Sequence, residues 1–188
     1  MVCMLSSYDT EVQTLEVSRI ETGGLILDVG GGGEGIIGRL NGKQVVAIDT
    51  REGELVDTRN EALKIVMDAA DLKFLPKSFD VCTAFFSLMY IPKSIHQKVF
   101  EEVFRVLKDK GRFLIWDVRI PENVAGYKAF IVHLKVKLPN EEVRTGYGVK
   151  WQTQSLEYFK EMAKLTGFKA TRESSKNEIF HIEIQKQI

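Results

Sequence analysis

Two kinds of apolar pattern alternate along the chain. Short, mostly apolar runs occur at Leu25–Val29, Val45–Ile48, Ile65–Met67, Phe79–Phe86 and Phe113–Val118. Runs of this length predict strands buried on both faces. Between them, apolar residues recur every three or four positions. Ile36, Ile37 and Leu40 predict a helix closed by Asn41-Gly42. Thr50 predicts the cap of a helix running to about Leu63. Ser94 with Gln97 spells a capping box ahead of the stripe Ile95, Val99, Val103 and Leu107, with Gly111 placed as the C′ glycine. Near the N-terminus, Val12, Leu15 and Ile20 are spaced for a short amphipathic helix within residues 1–22, capped by Asp9 or Thr10 and ended by Gly23-Gly24.

Strands alternating with helices predict an α/β fold with a doubly wound, mostly parallel sheet and right-handed crossovers. The tail changes period. From Ala129 to Leu138, apolar Phe130, Val132, Leu134, Val136 and Leu138 alternate with His133, Lys135 and Lys137, as in a half-buried strand. Pro139-Asn140 makes a turn, and Val143 to Trp151 can return, so residues 127–151 form an inserted β-hairpin. A helix over Ser155–Leu165 ends at Gly167. Strands near Phe168–Glu173 and Ile179–Gln185, joined by Ser174–Asn177, close the chain as an antiparallel pair. The expected architecture is a seven-stranded sheet with an antiparallel C-terminal strand, in one domain over residues 1–188.

Composition narrows the function classes. The chain has 188 residues, with 26 basic and 26 acidic side chains and a formal net charge of zero. Without a basic stripe, a nucleic-acid partner is disfavoured. Cys3 and Cys82 are far apart and form no CxxC pair, so neither a disulfide nor a metal site is expected, and Cys82 reads as a small buried hydrophobe. No charged n-region with an apolar stretch opens the chain, and no apolar run approaches a membrane span. A soluble cytoplasmic protein is the expectation.

The chemistry concentrates after the first run. Leu27-Asp28-Val29 leads into Gly30-Gly31-Gly32-Gly33-Glu34-Gly35, a loop whose backbone can approach a ligand where any Cβ would clash. Gly30, Gly32 and Gly35 satisfy GxGxxG, the dinucleotide pattern. No Gly-Lys-Ser/Thr follows, which argues against a nucleoside triphosphate. Asp28 and Glu34 would repel a pyrophosphate and favour a cationic ligand. Asp49 ends the second run, where an acid takes two ribose hydroxyls, and Asp68 ends the third, followed by small Ala69 and Ala70. S-adenosylmethionine, with an ammonium, a sulfonium and no phosphate, suits these charges, and its carboxylate could meet the loop N–H groups.

These segments resemble the class I S-adenosylmethionine-dependent methyltransferases over essentially the whole chain. Leu27–Gly32 looks like that family's first motif and Val46–Asp49 its second. Asp68–Leu72, Leu75-Pro76 and Ser78–Asp80 resemble the stretch that frames the adenine, and Arg105–Arg112 resembles the turn before strand five, with Lys-Asp-Lys-Gly where the family has Lys-Pro-Gly-Gly. The resemblance implies S-adenosyl-L-methionine as cofactor, with contacts from Asp28, Gly30, Gly31, Gly32, Asp49, Thr50, Asp68, Ala69 and Phe85. Asp28 and the glycines would surround the methionine part, Asp49 the ribose, Asp68 and Ala69 the adenine, and Phe85 the sulfonium.

The acceptor is less legible. The strand-four Asn/Asp-Pro-Pro-Tyr/Phe motif of base-amino methylation is absent, and Phe85-Phe86-Ser87-Leu88 stands there. The apolar character of residues 84–91 favours a small-molecule acceptor. Candidate bases are Tyr90, His96, His133 and Tyr147, with His96 and His133 expected in solvent, His181 expected to be structural, and none named as catalytic. The N-terminal helix and the hairpin are expected to cover the site, or the hairpin's apolar face to pair with a second subunit. A non-catalytic S-adenosylmethionine-binding module acting through a protein partner is the alternative function, and a dinucleotide oxidoreductase a distant third.

Overall fold

A computed structural model describes residues 7–123 and 126–187. Its main sheet has seven strands: β3 (Ile26–Val29), β4 (Val45–Asp49), β5 (Leu63–Val66), β6 (Phe79–Phe85), β7 (Leu107–Val118), β10 (Phe168–Lys176) and β11 (Ile179–Lys186). Their spatial order is β10-β11-β7-β6-β3-β4-β5. Strands β5 through β7 pair in parallel, and β11 runs antiparallel to both β7 and β10. The predicted seven-stranded doubly wound sheet with its antiparallel C-terminal strand is observed. Chain order reverses between β3 and β6, so a crevice opens there at the carboxyl ends of the strands.

Alternation along β7 separates the two faces. Phe113 and Ile115 join Leu27, Cys82, Val99, Phe100, Val103 and Phe159 in a core against α3 (Lys93–Val106) and α4 (Leu156–Leu165). Leu114 and Trp116 point the other way, into a second core with Ile36 and Ile37 of α1 (Ile36–Asn41) and Leu55 of α2 (Glu52–Asp57). That second face is completed by a small sheet. In it β8 (Ala129–Lys137) pairs antiparallel with β9 (Glu142–Lys150), and on its other edge lie β1 (Ser7–Asp9) and β2 (Gln13–Glu16), both parallel to it. Phe130, Val132, Leu134 and Val136 are buried in the second core.

Several expectations are corrected. The N-terminal segment is two short strands, not a helix. Val12, Leu15, Val17 and Ile20 fit no single period over these nine positions, and the open edge of β8 offers backbone partners, with Thr10 N–H to Ile131 O at 2.9 Å and Val17 N–H to Lys137 O at 3.0 Å. The helix after Thr50 begins at Glu52 and stops at Asp57, because the Thr58 hydroxyl donates to the carbonyls of Glu54 (2.7 Å) and Gly33 (2.9 Å) and Leu63 already pairs with Val46 in the sheet. The Ser94–Gln97 capping box does not form. Pro92 precedes α3, and Gln97 bonds Glu101 instead. Gly111 is not a C′ residue: α3 ends at Val106, β7 starts at once, and Lys110 takes the left-handed turn at φ 61°. In the tail, Ser174–Lys176 continue β10 and the turn falls on Asn177 at φ 53°. The hairpin's apolar face is covered within the chain, which removes the surface expected for a dimer. Cys82 is fully buried as expected, and Cys3 lies outside the described residues.

Candidate active site

A cavity of about 750 Å³ opens at the crevice between β3 and β6. Its volume suits a drug-sized ligand. Asp28, Gly30, Gly31, Gly32, Asp49, Thr50, Asp68, Ala69 and Phe85 all line it. Residues separated by nearly sixty positions meet because β3, β4, β5 and β6 are neighbours that end at one rim.

The glycine loop lies tight against the sheet. Gly30 has φ 72°, and a Cβ there would overlap Ser87 Cβ. A Cβ on Gly31 would sit 2.6 Å from Asp28 Oδ2 and 2.8 Å from Ala47 Cβ, and one on Gly32 would sit 2.9 Å from Asp49 Oδ2. These contacts leave no room for side chains, so the loop backbone itself forms the cavity floor. The N–H groups of Gly30 and Gly31 both donate to Ile48 O, at 2.8 and 3.0 Å, and that of Gly33 to Glu54 O at 3.0 Å. A pyrophosphate cradle needs several convergent free amides. With Gly35 N–H donating to Gly32 O at 3.3 Å, four of this loop's six amides are engaged, which leaves those of Gly32 and Glu34 for the expected contact with a ligand carboxylate.

Charge points the same way. The lining carries the carboxylates Asp28, Glu34, Asp49, Glu54 and Asp68 against one cation, Arg51. Arg51 is held by Glu54 at 3.0 Å and lies 3.9 Å from Asp49. Asp28 is buried, and burial raises its carboxyl to about 7, while the Thr83 hydroxyl, donating at 2.7 Å, works against the rise. A nearby cation would favour its ionised form. Asp49 accepts from Arg51 N–H at 2.9 Å and Asp68 from Ala70 N–H at 2.8 Å, each through one oxygen, Oδ1.

The lining also carries an aromatic and apolar set: Phe85, Phe86, Tyr90, Ile91, Ile95 and Tyr147. Tyr147 stacks on Phe86, with centroids 5.4 Å apart and planes at 17°. Burial and the adjacent Glu34 push its phenol upward, so it is a poor base near neutrality. Tyr90 sits on the short turn Leu88–Tyr90, which is fixed by Met89 N–H donating to Asp117 Oδ2 at 3.2 Å. Asp117 is buried away from the cavity and raised by burial to about 7. It also accepts from Gln154 Nε2 at 2.7 Å and Val118 N–H at 2.8 Å.

The histidines fall elsewhere. His96 is buried, contrary to expectation, with its ring nitrogens 3.0 Å from Leu88 O and 3.0 Å from the Tyr158 hydroxyl. Its place on the apolar side of α3 beside Val99 and Phe100 carries that signal in retrospect. His133 pairs with Asp9 at 3.0 Å on the open side of the small sheet. His181 stacks on Trp116 at 4.5 Å, and burial lowers it to about 4. None of the three lines the cavity. Sequence reasoning missed Arg51, Glu54 and Ser87, which follow strand ends and carry no motif of their own. Among the described residues no cluster of His, Cys, Asp and Glu could hold a metal, and no helix is long and apolar enough to cross a membrane.

Residues 27–115 match the family model described as "Methyltransferase domain". A sterol 4-C-methyltransferase of Caenorhabditis elegans is 33% identical over 103 residues, which is 51% of this chain and 28% of that relative's length. A crystal structure titled as S-adenosylmethionine-dependent methyltransferases, from Methanosarcina mazei, superposes with a TM-score of 0.65 at 18% identity, covering 90% of this chain and 95% of the other. A Pyrococcus horikoshii protein gives 0.64 at 20% identity, with 87% and 82% covered. At these identities the two structures establish the fold.

Proposed function

We propose that the chain is a class I S-adenosylmethionine-dependent methyltransferase, a reading supported by the methyltransferase-domain match over residues 27–115, and that it transfers a methyl group to a small, largely apolar acceptor. The observation that carries the reading is that one cavity brings the carboxylates Asp28, Asp49 and Asp68 together with the rings of Phe85, Phe86, Tyr90 and Tyr147. The carboxylate set fits the adenosyl donor. Asp28 with the backbone of Gly30–Gly32 would hold the methionine part, Asp49 with Thr50 the ribose, and Asp68 with the Ala69 backbone the adenine. Phe85 would present a ring toward the sulfonium, where a cation gains from a π face.

The bound donor supplies a carbon already activated by positive sulfur. The chain's own contribution is placement. Phe86, Tyr90, Ile91, Ile95 and Tyr147 exclude water and fix the acceptor in line, which is worth several orders of magnitude in effective concentration. Among the described residues no histidine or cysteine lines the cavity, and the reading calls for no covalent intermediate on the chain. An apolar acceptor is consistent with the sterol in the name of the Caenorhabditis elegans relative. The β8–β9 hairpin, which supplies Gly146 and Tyr147 to the wall, acts as the lid.

Calorimetry with S-adenosylmethionine, S-adenosylhomocysteine and NAD tests the donor. Binding of NAD alone would overturn the reading. A screen of a metabolite extract with methyl-labelled donor tests turnover. Label transfer to an organic-soluble small molecule is expected, and donor binding without any label transfer would favour the non-catalytic binding module.

A further inference from the structure

Glu34 stands apart from the other cavity carboxylates because its partners come from the hairpin and not from the sheet. Its Oε1 accepts from the Thr145 hydroxyl and its Oε2 from the Tyr147 hydroxyl at 3.0 Å, across more than a hundred residues of chain. A second link runs alongside. Arg39 of α1 donates through Nε to the Glu34 carbonyl at 2.7 Å and through Nη1 to Glu141 at 3.0 Å, in the turn between β8 and β9. Two crosslinks therefore fasten the hairpin to the glycine loop. One of them places the Tyr147 ring against Phe86 in the aromatic wall.

Resting on the methyl-donor reading, we propose that Glu34 and Tyr147 are positioning residues that couple the glycine loop to the hairpin. A ligand that fixes the glycine loop therefore also steadies the hairpin and the aromatic wall it carries. The physical basis is geometric. The glycine loop has no side chain to brace it between Gly30 and Gly33, and its conformation fixes where the Glu34 carboxylate points. The two hydroxyl donors sit on alternate residues of β9, so both face the loop and move with one strand. Charge-assisted hydrogen bonds to a partly buried carboxylate are strong enough to transmit the change.

Hydrogen exchange of the whole chain, with and without S-adenosylhomocysteine, tests the coupling. In the wild type the ligand should slow exchange in residues 142–150 as well as in the glycine loop. Tyr147→Phe keeps the ring and its stacking but loses the hydroxyl. It should bind S-adenosylhomocysteine roughly three- to tenfold more weakly, and the ligand should protect the loop while the hairpin's protection falls several-fold. Thr145→Val should do the same in milder form and Thr145→Ser should restore it. A residue important only for packing would lower the melting temperature without changing what the ligand protects. If the wild-type hairpin does not respond to bound ligand, or if Tyr147→Phe responds as fully as the wild type, the coupling is wrong and the donor reading stands. If S-adenosylhomocysteine does not bind the wild type, both are overturned.

Discussion

The acids that line the cavity come from one sheet: Asp28 lies in β3 with the glycines just after it, Asp49 ends β4, and Asp68 follows β5. Tyr147 instead arrives from a hairpin in a different sheet and meets Phe86 and Glu34 only through tertiary packing. The acidic rim is polar, and its shape follows from backbone that no side chain can enter. The aromatic wall is apolar, and its shape depends on where the small sheet docks. The parallel sheet therefore sets the acidic rim, whereas the aromatic wall depends on what covers one face.

The contrast can be broken first at the anchor of the hairpin. Phe130 is fully buried in the second core, and Phe130→Ala should cost about 3–5 kcal/mol, read by urea unfolding. A loss below about 1 kcal/mol would mean that the small sheet is not docked as described. At the acidic rim, Gly31→Ala forces a Cβ between Asp28 and Ala47 and should cost about 1–3 kcal/mol through overpacking, part of it as weaker S-adenosylmethionine binding in calorimetry. Asp49→Ala should weaken the same binding by about 1–3 kcal/mol if two ribose hydroxyls lose a charged acceptor, with the unfolding midpoint nearly unchanged. Unaltered affinity would remove Asp49 from the site.

The smallest effect separates two buried carboxyls that share a cause. Burial raises both Asp28 and Asp117 to about 7. A raised carboxyl contributes stability that is full below its unfolded value near 4 and is lost as pH rises through the folded value. His96 and His181, lowered by burial, act in the opposite sense below about 6.5. The difference between Asp117→Asn and wild type isolates the single group: the variant should gain relative melting temperature between pH 5 and pH 8. Because Asp117 lies outside the cavity, the pH dependence of donor affinity should remain that of the wild type in this variant. A change there would place Asp117 in communication with the donor site.

The sequence by itself determined the main sheet and the acids that gather at its rim. Unbroken apolar runs such as Val45–Ile48 can be buried on both faces only in a parallel sheet, and an acid after each run falls on the same rim whatever the helices do. It also located the hairpin, since Phe130, Val132, Leu134 and Val136 keep strict period two. Element ends were less legible. Thr58, Gln97 and Lys110 found partners or turns that local propensity does not encode. Only the tertiary structure decided that the N-terminal segment would be strand, because the deciding factor was an open edge on β8, more than a hundred residues away. The same reason governs Glu34. As a residue in a glycine loop it reads as local charge, and its bonds to Thr145 and Tyr147 exist only once two sheets have packed.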